Sequence, residues 1–199
     1  MSEEGWAGLD VVPPGEVHRR ALIAQRLSGA QPAIIGPLSL IGWESGGGDY
    51  ATWLFAPDGQ VLLLVFDHEC DLNLYVDDEV DAQIGMYEGL PEKLLGPVRG
   101  LPDGKDFLMV GTGEDSVPVA SGVFWFDGAT WSATRGLREL AQSRGLDLMS
   151  DSGFRYCTSV YRFDREFTPE ALAADGAEVR WGVSLQRLQE IFTEVGASE

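Results

Sequence analysis

The sequence predicts an α+β fold, a single domain with a mainly antiparallel sheet built from hairpins (about 50–66 and 119–133) and flanked by helices. Three observations predict it. The β-rich runs come in pairs joined by turn residues, as hairpins require. Helix-periodic segments precede, separate and follow those pairs instead of alternating with single strands, which argues against a doubly wound α/β chain. With 199 residues, 44% hydrophobic and 10% aromatic, the chain holds enough apolar material for one real core. No repeat, low-complexity tract or long linker divides it, so residues 16–199 read as one domain behind a mobile leader, 1–15.

The leader is polar and ends in Pro13-Pro14-Gly15. A helix is predicted from Glu16 to about Ser28, with Val17, Ala21, Ile23, Ala24 and Leu27 broadly on one face and Gly29 as its stop. Pro32 to Trp43 alternates apolar pieces with Gly and Pro, a strand broken by a turn, and Gly46-Gly47-Gly48 is a flexible loop. The clearest local signal follows. Tyr50–Ala56, the turn Pro57-Asp58-Gly59 and Gln60–Phe66 make a hairpin in which Pro presets φ and Gly takes the positive-φ position. Its second strand is apolar nearly throughout and is expected at the centre of the sheet, covered on both faces.

Helices are predicted near Val76–Glu88 and Pro91–Arg99, and a strand over Phe107–Gly111. The second hairpin runs Val119–Phe126, turns at Asp127-Gly128 and returns through Ala129–Ala133. A helix over Arg135–Arg144 and a strand over Arg155–Phe163 come next, then helices over Pro169–Ala174 and Ser184–Val195. Thr168-Pro169-Glu170 sets Thr at an N-cap and Pro at N1, and Ser184 opens the last helix in the same way. Leu185, Leu188, Ile191, Phe192 and Val195 form an apolar stripe expected to dock on the sheet.

Charge is the unusual feature. Thirty-two acids face 14 bases, for a formal net charge of -18. From Leu27 through Glu92 there is no Lys or Arg, while the same 66 residues carry 12 acids. Such a balance excludes nucleic acid and an anionic membrane surface as partners, since both need clustered Lys and Arg. The N-terminus lacks the basic and apolar regions of a secretory signal, and no apolar run approaches the roughly 20 residues of a membrane span. The expectation is a cytoplasmic protein whose two cysteines, Cys70 and Cys157, are reduced and buried. Abundant Ala and Gly, with Arg far above Lys, point to a GC-rich bacterial genome.

The densest chemical cluster is Asp67-His68-Glu69-Cys70-Asp71 with Asn73, just after the central strand. It holds every common metal-ligand type, but its spacing matches neither HExxH nor an EF-hand loop, where Val76 and Ala82 occupy the required Gly and Glu positions. Gly42-Trp43-Glu44-Ser45-Gly46 places the serine one position late for a nucleophile elbow, and neither glycine loop carries a phosphate-binding signature. No catalytic residue, metal ligand or cofactor is therefore assigned. Six tryptophans are read mainly as core packing.

The functional expectation is an acidic protein-interaction domain that binds, and in an inhibitor-like role neutralises, a basic protein partner through Asp67, Glu69, Asp71, Asp77, Asp78 and Asp81. Bacterial immunity proteins are similar in size, acidity and lack of catalytic motifs, a likeness of type that rests on no shared motif. The alternatives are a hydrolase or metal-dependent enzyme centred on the 67–71 cluster, and a structural subunit of a bacterial assembly.

Overall fold

In the computed structural model, residues 5–75, 78–99, 101 and 107–197 are described. Helix α1 (Pro14–Leu27) leads into strands β1 (Ala33–Ile35), β2 (Leu38–Glu44), β3 (Tyr50–Phe55) and β4 (Val61–Phe66). Helices α2 (Val80–Gly85) and α3 (Glu92–Leu95) follow, then the short strands β5 (Met109–Val110) and β6 (Val117–Pro118). The second hairpin is β7 (Gly122–Phe126) and β8 (Trp131–Ala133). The chain ends in α4 (Arg135–Arg144), α5 (Phe154–Thr158), α6 (Pro169–Ala174), α7 (Ala177–Trp181) and α8 (Leu185–Gly196).

Six strands form one antiparallel sheet in the order β1-β2-β3-β4-β7-β8, with β5 and β6 as a separate ribbon. The fold class is the predicted α+β, and both predicted hairpins are present. Every residue of β4 is buried, as expected of a strand covered on both faces. On one face, Ile41, Trp53, Leu63 and Phe124 lie in one row of paired residues. Trp53 meets Trp131, Tyr161 and Phe163 edge-on there, and Trp6 meets Phe124 and Phe154 in the same way. On the other face Tyr50 stacks on Phe66, and the hydroxyls of Tyr50 and Tyr87 donate to the adjacent carbonyls of Val119 and Pro118.

Four expectations change. Trp6, Ala7, Leu9 and Val12, read as part of a mobile leader, pack on this core: Leu9 is fully buried and Trp6 lies among the aromatic rings. The strand expected over Arg155–Phe163 is instead α5 and a 3-10 turn, Ser159–Tyr161. Phe154, Cys157, Thr158 and Tyr161, at i, i+3, i+4 and i+7, are buried together with Val160, so the helical period prevails over β propensity. The last helix does not dock on the sheet. Leu188, Ile191 and Val195 pack with Ile23, Leu27 and Leu172 in a second, smaller core. The broad stripe of α1 is accordingly two stripes, with Val17, Ala21 and Ala24 in the main core and Ile23 and Leu27 in the smaller one. Helix α7 carried no recognised sequence signal.

Glu16 in the first turn of α1 accepts from Arg19 (2.6 Å) and Arg20 (2.7 Å). Arg20 in turn donates through Nη1 to the carbonyls of Tyr161 and Arg162, which ties α1 to the end of the 3-10 turn. Burial alone would raise the Glu16 carboxyl, but the hydrogen bonds and charges of both arginines outweigh it and hold the group below its ordinary value. A depressed carboxyl contributes stability above its unfolded pKa and loses it as pH falls through the folded one. Glu16→Gln should therefore cost about 1 kcal/mol at neutral pH, measured by urea unfolding, and the difference should close in acid.

Candidate functional site

The β3–β4 register decides what gathers at the end of the sheet. Pairing runs from Phe55↔Val61 out to Tyr50↔Phe66, so the next residues to face each other are Asp49 and Asp67. Asp49 closes the glycine loop and is buried. Its Oδ2 accepts from Ser45 Oγ (2.9 Å), and its Oδ1 accepts from the His68 backbone N–H (3.1 Å) and contacts His68 Nδ1 (2.5 Å). The imidazole is half-exposed, and its Nε2 lies 3.9 Å from Glu69. Asp67 accepts from the Glu69 backbone N–H, and its own N–H donates to Ser121 Oγ, a fully buried hydroxyl that donates to the Ser152 carbonyl. Asn73 Nδ2 donates to the His68 carbonyl and closes the loop.

These contacts set the charges. The hydrogen bond and negative charge of Asp49 raise the His68 pKa above its ordinary value. Burial alone would raise the Asp49 carboxyl, but the hydrogen bonds from His68 and Ser45 prevail and hold it below its ordinary value. Burial raises the thiols of Cys70 and Cys157, so neither is poised as a thiolate at neutral pH. Ser45 bonds to Asp49 and not to the imidazole, so serine and histidine do not form the nucleophile–base contact that acyl transfer requires. What the arrangement offers is a set of donors: one ligand atom each from Asp49, Asp67 and His68, all within 4.8 Å of one another.

The six acids of the sequence reading do not all share this place. Asp67, Glu69 and Asp71 sit at the exit of β4, and Asp78 follows with φ 56°. Asp77 lies outside the described residues. Asp81 belongs to a separate groove of about 340 Å³ between the α2–α3 segment and the β5–β6 ribbon, which Glu88, Glu92 and Asp115 also line. Sequence reasoning missed Asp49 and this grouping of Asp81 with Asp115. Against models of protein families, curated proteins and solved structures, the chain has no significant match.

Gly153, with φ 75°, fits against Asp67: a Cβ there would lie 2.2 Å from the Asp67 Cβ. Asp49→Asn should cost about 1–3 kcal/mol in urea unfolding, because the buried amide cannot serve Ser45 and both His68 groups as a charged acceptor does. Gly153→Ala should lower stability through backbone strain and collision with Asp67, whereas the same change at exposed Gly47, which has a negative φ, should not.

Proposed function

We propose that this protein is an acidic interaction domain that binds a basic protein partner. The observation that carries the reading is the groove beside α2. Asp81, Glu88, Glu92 and Asp115 line it against one base, Arg99, over apolar walls that include Ile84 and Leu95. Glu92 pairs with Arg99 at 3.5 Å and Glu88 with Arg135 at 3.0 Å. Asp81 and Asp115 make no ion pair among the described residues. A concave acidic groove with apolar walls suits a Lys or Arg side chain, whose aliphatic stem packs while its head meets carboxylates. The acids at the exit of β4 extend the negative field, and steering by such a field speeds association and makes it sensitive to salt.

An arginine-rich probe peptide, followed by fluorescence anisotropy, tests this reading. Asp81→Lys with Asp115→Lys should weaken binding at least about tenfold, as losing a close charge pair commonly does. Asp10→Lys with Glu166→Lys changes the net charge equally on other elements and should have little effect. Equal loss in both pairs would reduce the reading to bulk charge, and binding indifferent to salt would overturn it.

A second reading has its own observation. Two carboxylates and an imidazole within ligand reach at Asp49, Asp67 and His68 suit a divalent transition metal such as zinc or manganese, the basis for a metal-dependent enzyme. Calorimetric titration with zinc and manganese separates the two readings. Saturable binding abolished by Asp67→Asn supports a metal site; its absence in the unmodified protein removes it.

A further inference from the structure

Between the 3-10 turn Ser159–Tyr161 and helices α6 and α7 lies a second cleft whose charge is opposite to that of the molecule. Its volume is about 540 Å³, and Arg162, Arg165, Arg180, Asp175, Leu172 and Trp181 are among its lining residues. Three guanidiniums thus face one carboxylate, on a chain in which acids outnumber bases 32 to 14. Within the cleft Arg162 and Arg165 share Asp175, and Arg165 also lies 3.6 Å from Asp164, so Arg180 is the lining guanidinium with no ion pair among the described residues. The remaining positive charge, with the buried Nε of Arg162 that has no acceptor, leaves room for an anion.

The cleft is also built. Arg162 is 8% exposed, adopts the left-handed backbone region at φ 51°, and has a buried Nε without an acceptor. That conformation is costly for a non-glycine residue and persists only where its surroundings impose it. They do so here: Arg20 holds the Tyr161 and Arg162 carbonyls from α1, while Arg162 Nη1 reaches the Ala171 carbonyl and Asp175. Asp175 also holds Arg165 at 3.6 Å. Arg180 lies 5.5 Å from the centre of the Trp181 ring and makes no ion pair among the described residues.

We infer that this cleft binds a small phosphate monoester whose body is flat or apolar. Three arginines against Asp175, with Asp164 beside Arg165, leave a net positive balance, which suits the negative charge of a phosphate monoester at neutral pH. Guanidinium forks fit phosphate oxygens, the Trp181 ring and Leu172 offer a surface for the body, and the volume lies within the roughly 300–1,000 Å³ of small-molecule sites. The inference is independent of the acidic groove and stands whether or not that groove binds a basic partner.

Calorimetry on the full chain with phenyl phosphate, inorganic phosphate and phenylacetate tests it at constant ionic strength. Phenyl phosphate should bind saturably at one site, with inorganic phosphate and phenylacetate each at least about tenfold weaker. Arg165→Ala and Arg180→Ala remove exposed side chains and should each weaken phenyl phosphate about tenfold while leaving the thermal midpoint unchanged. Arg162→Lys, which keeps the charge but loses the fork, should weaken it as well. No saturable binding to the unmodified protein overturns the inference, as does binding that all three variants leave intact. Phenylacetate binding as tightly as phenyl phosphate overturns the assignment to a phosphate.

Discussion

The burial of β4 on both faces is the constraint on which the rest of the structure depends. A strand reading Val61-Leu62-Leu63-Leu64-Val65-Phe66 has no side to give to water, so helices or loops must cover both faces of the sheet. One cover is aromatic, drawn from Trp6, Phe154, Tyr161 and Phe163. The other comes from the segment between β4 and β7, whose Tyr87 and Gln83 donate to the carbonyls of Pro118 and Ala120. The tight turn at Pro57-Asp58-Gly59 sets the register of β3 on β4. Asp49 is then carried to Asp67 as a consequence of that register.

The charge distribution follows from the same geometry. Strands β1 to β4 account for much of the stretch from Leu27 to Glu92, and their interior positions exclude charge of either sign. Among the described residues its acids fall in the loops, at the end of β2 (Glu44), in α2 (Asp81) and at the start of α3 (Glu92), where no base from the same stretch can neutralise them. Arginines from later elements reach some of them, as Arg144 reaches Glu79 and Arg135 reaches Glu88. Asp81 and Asp115 keep their negative field because no such arm arrives among the described residues. In the cleft beside α6 and α7 the balance reverses, since Arg180 joins Arg162 and Arg165 against Asp175, with Asp164 beside Arg165.

Much of this was legible in the sequence where one local rule decides. Pro57-Asp58-Gly59 between two β-rich runs fixed the first hairpin, and Thr168 and Ser184 cap α6 and α8 as their residue types require. Asp49 was legible too: counting the hairpin pairs outward places it opposite Asp67, although it stands 18 positions away along the chain. What could not be read were arrangements set by distant surfaces. The stripe of α8 has the same pattern whether its partner is a sheet or α1. Trp6 and Leu9 are isolated apolar residues in a polar segment, and nothing local announces the pocket that takes them.

The misread segment after Gly153 joins the two candidate sites. As a strand, Arg155–Phe163 would send alternate side chains to opposite faces and have no reason to approach the end of β4. As a helix, it turns Cys157 inward to donate to the Phe66 carbonyl, while Gly153 presses on Asp67 at its start. The helical path then ends in Arg162, whose left-handed turn redirects the chain and leaves its guanidinium in the arginine-lined cleft. Phe154 and Tyr161 anchor the path in the aromatic face of the sheet.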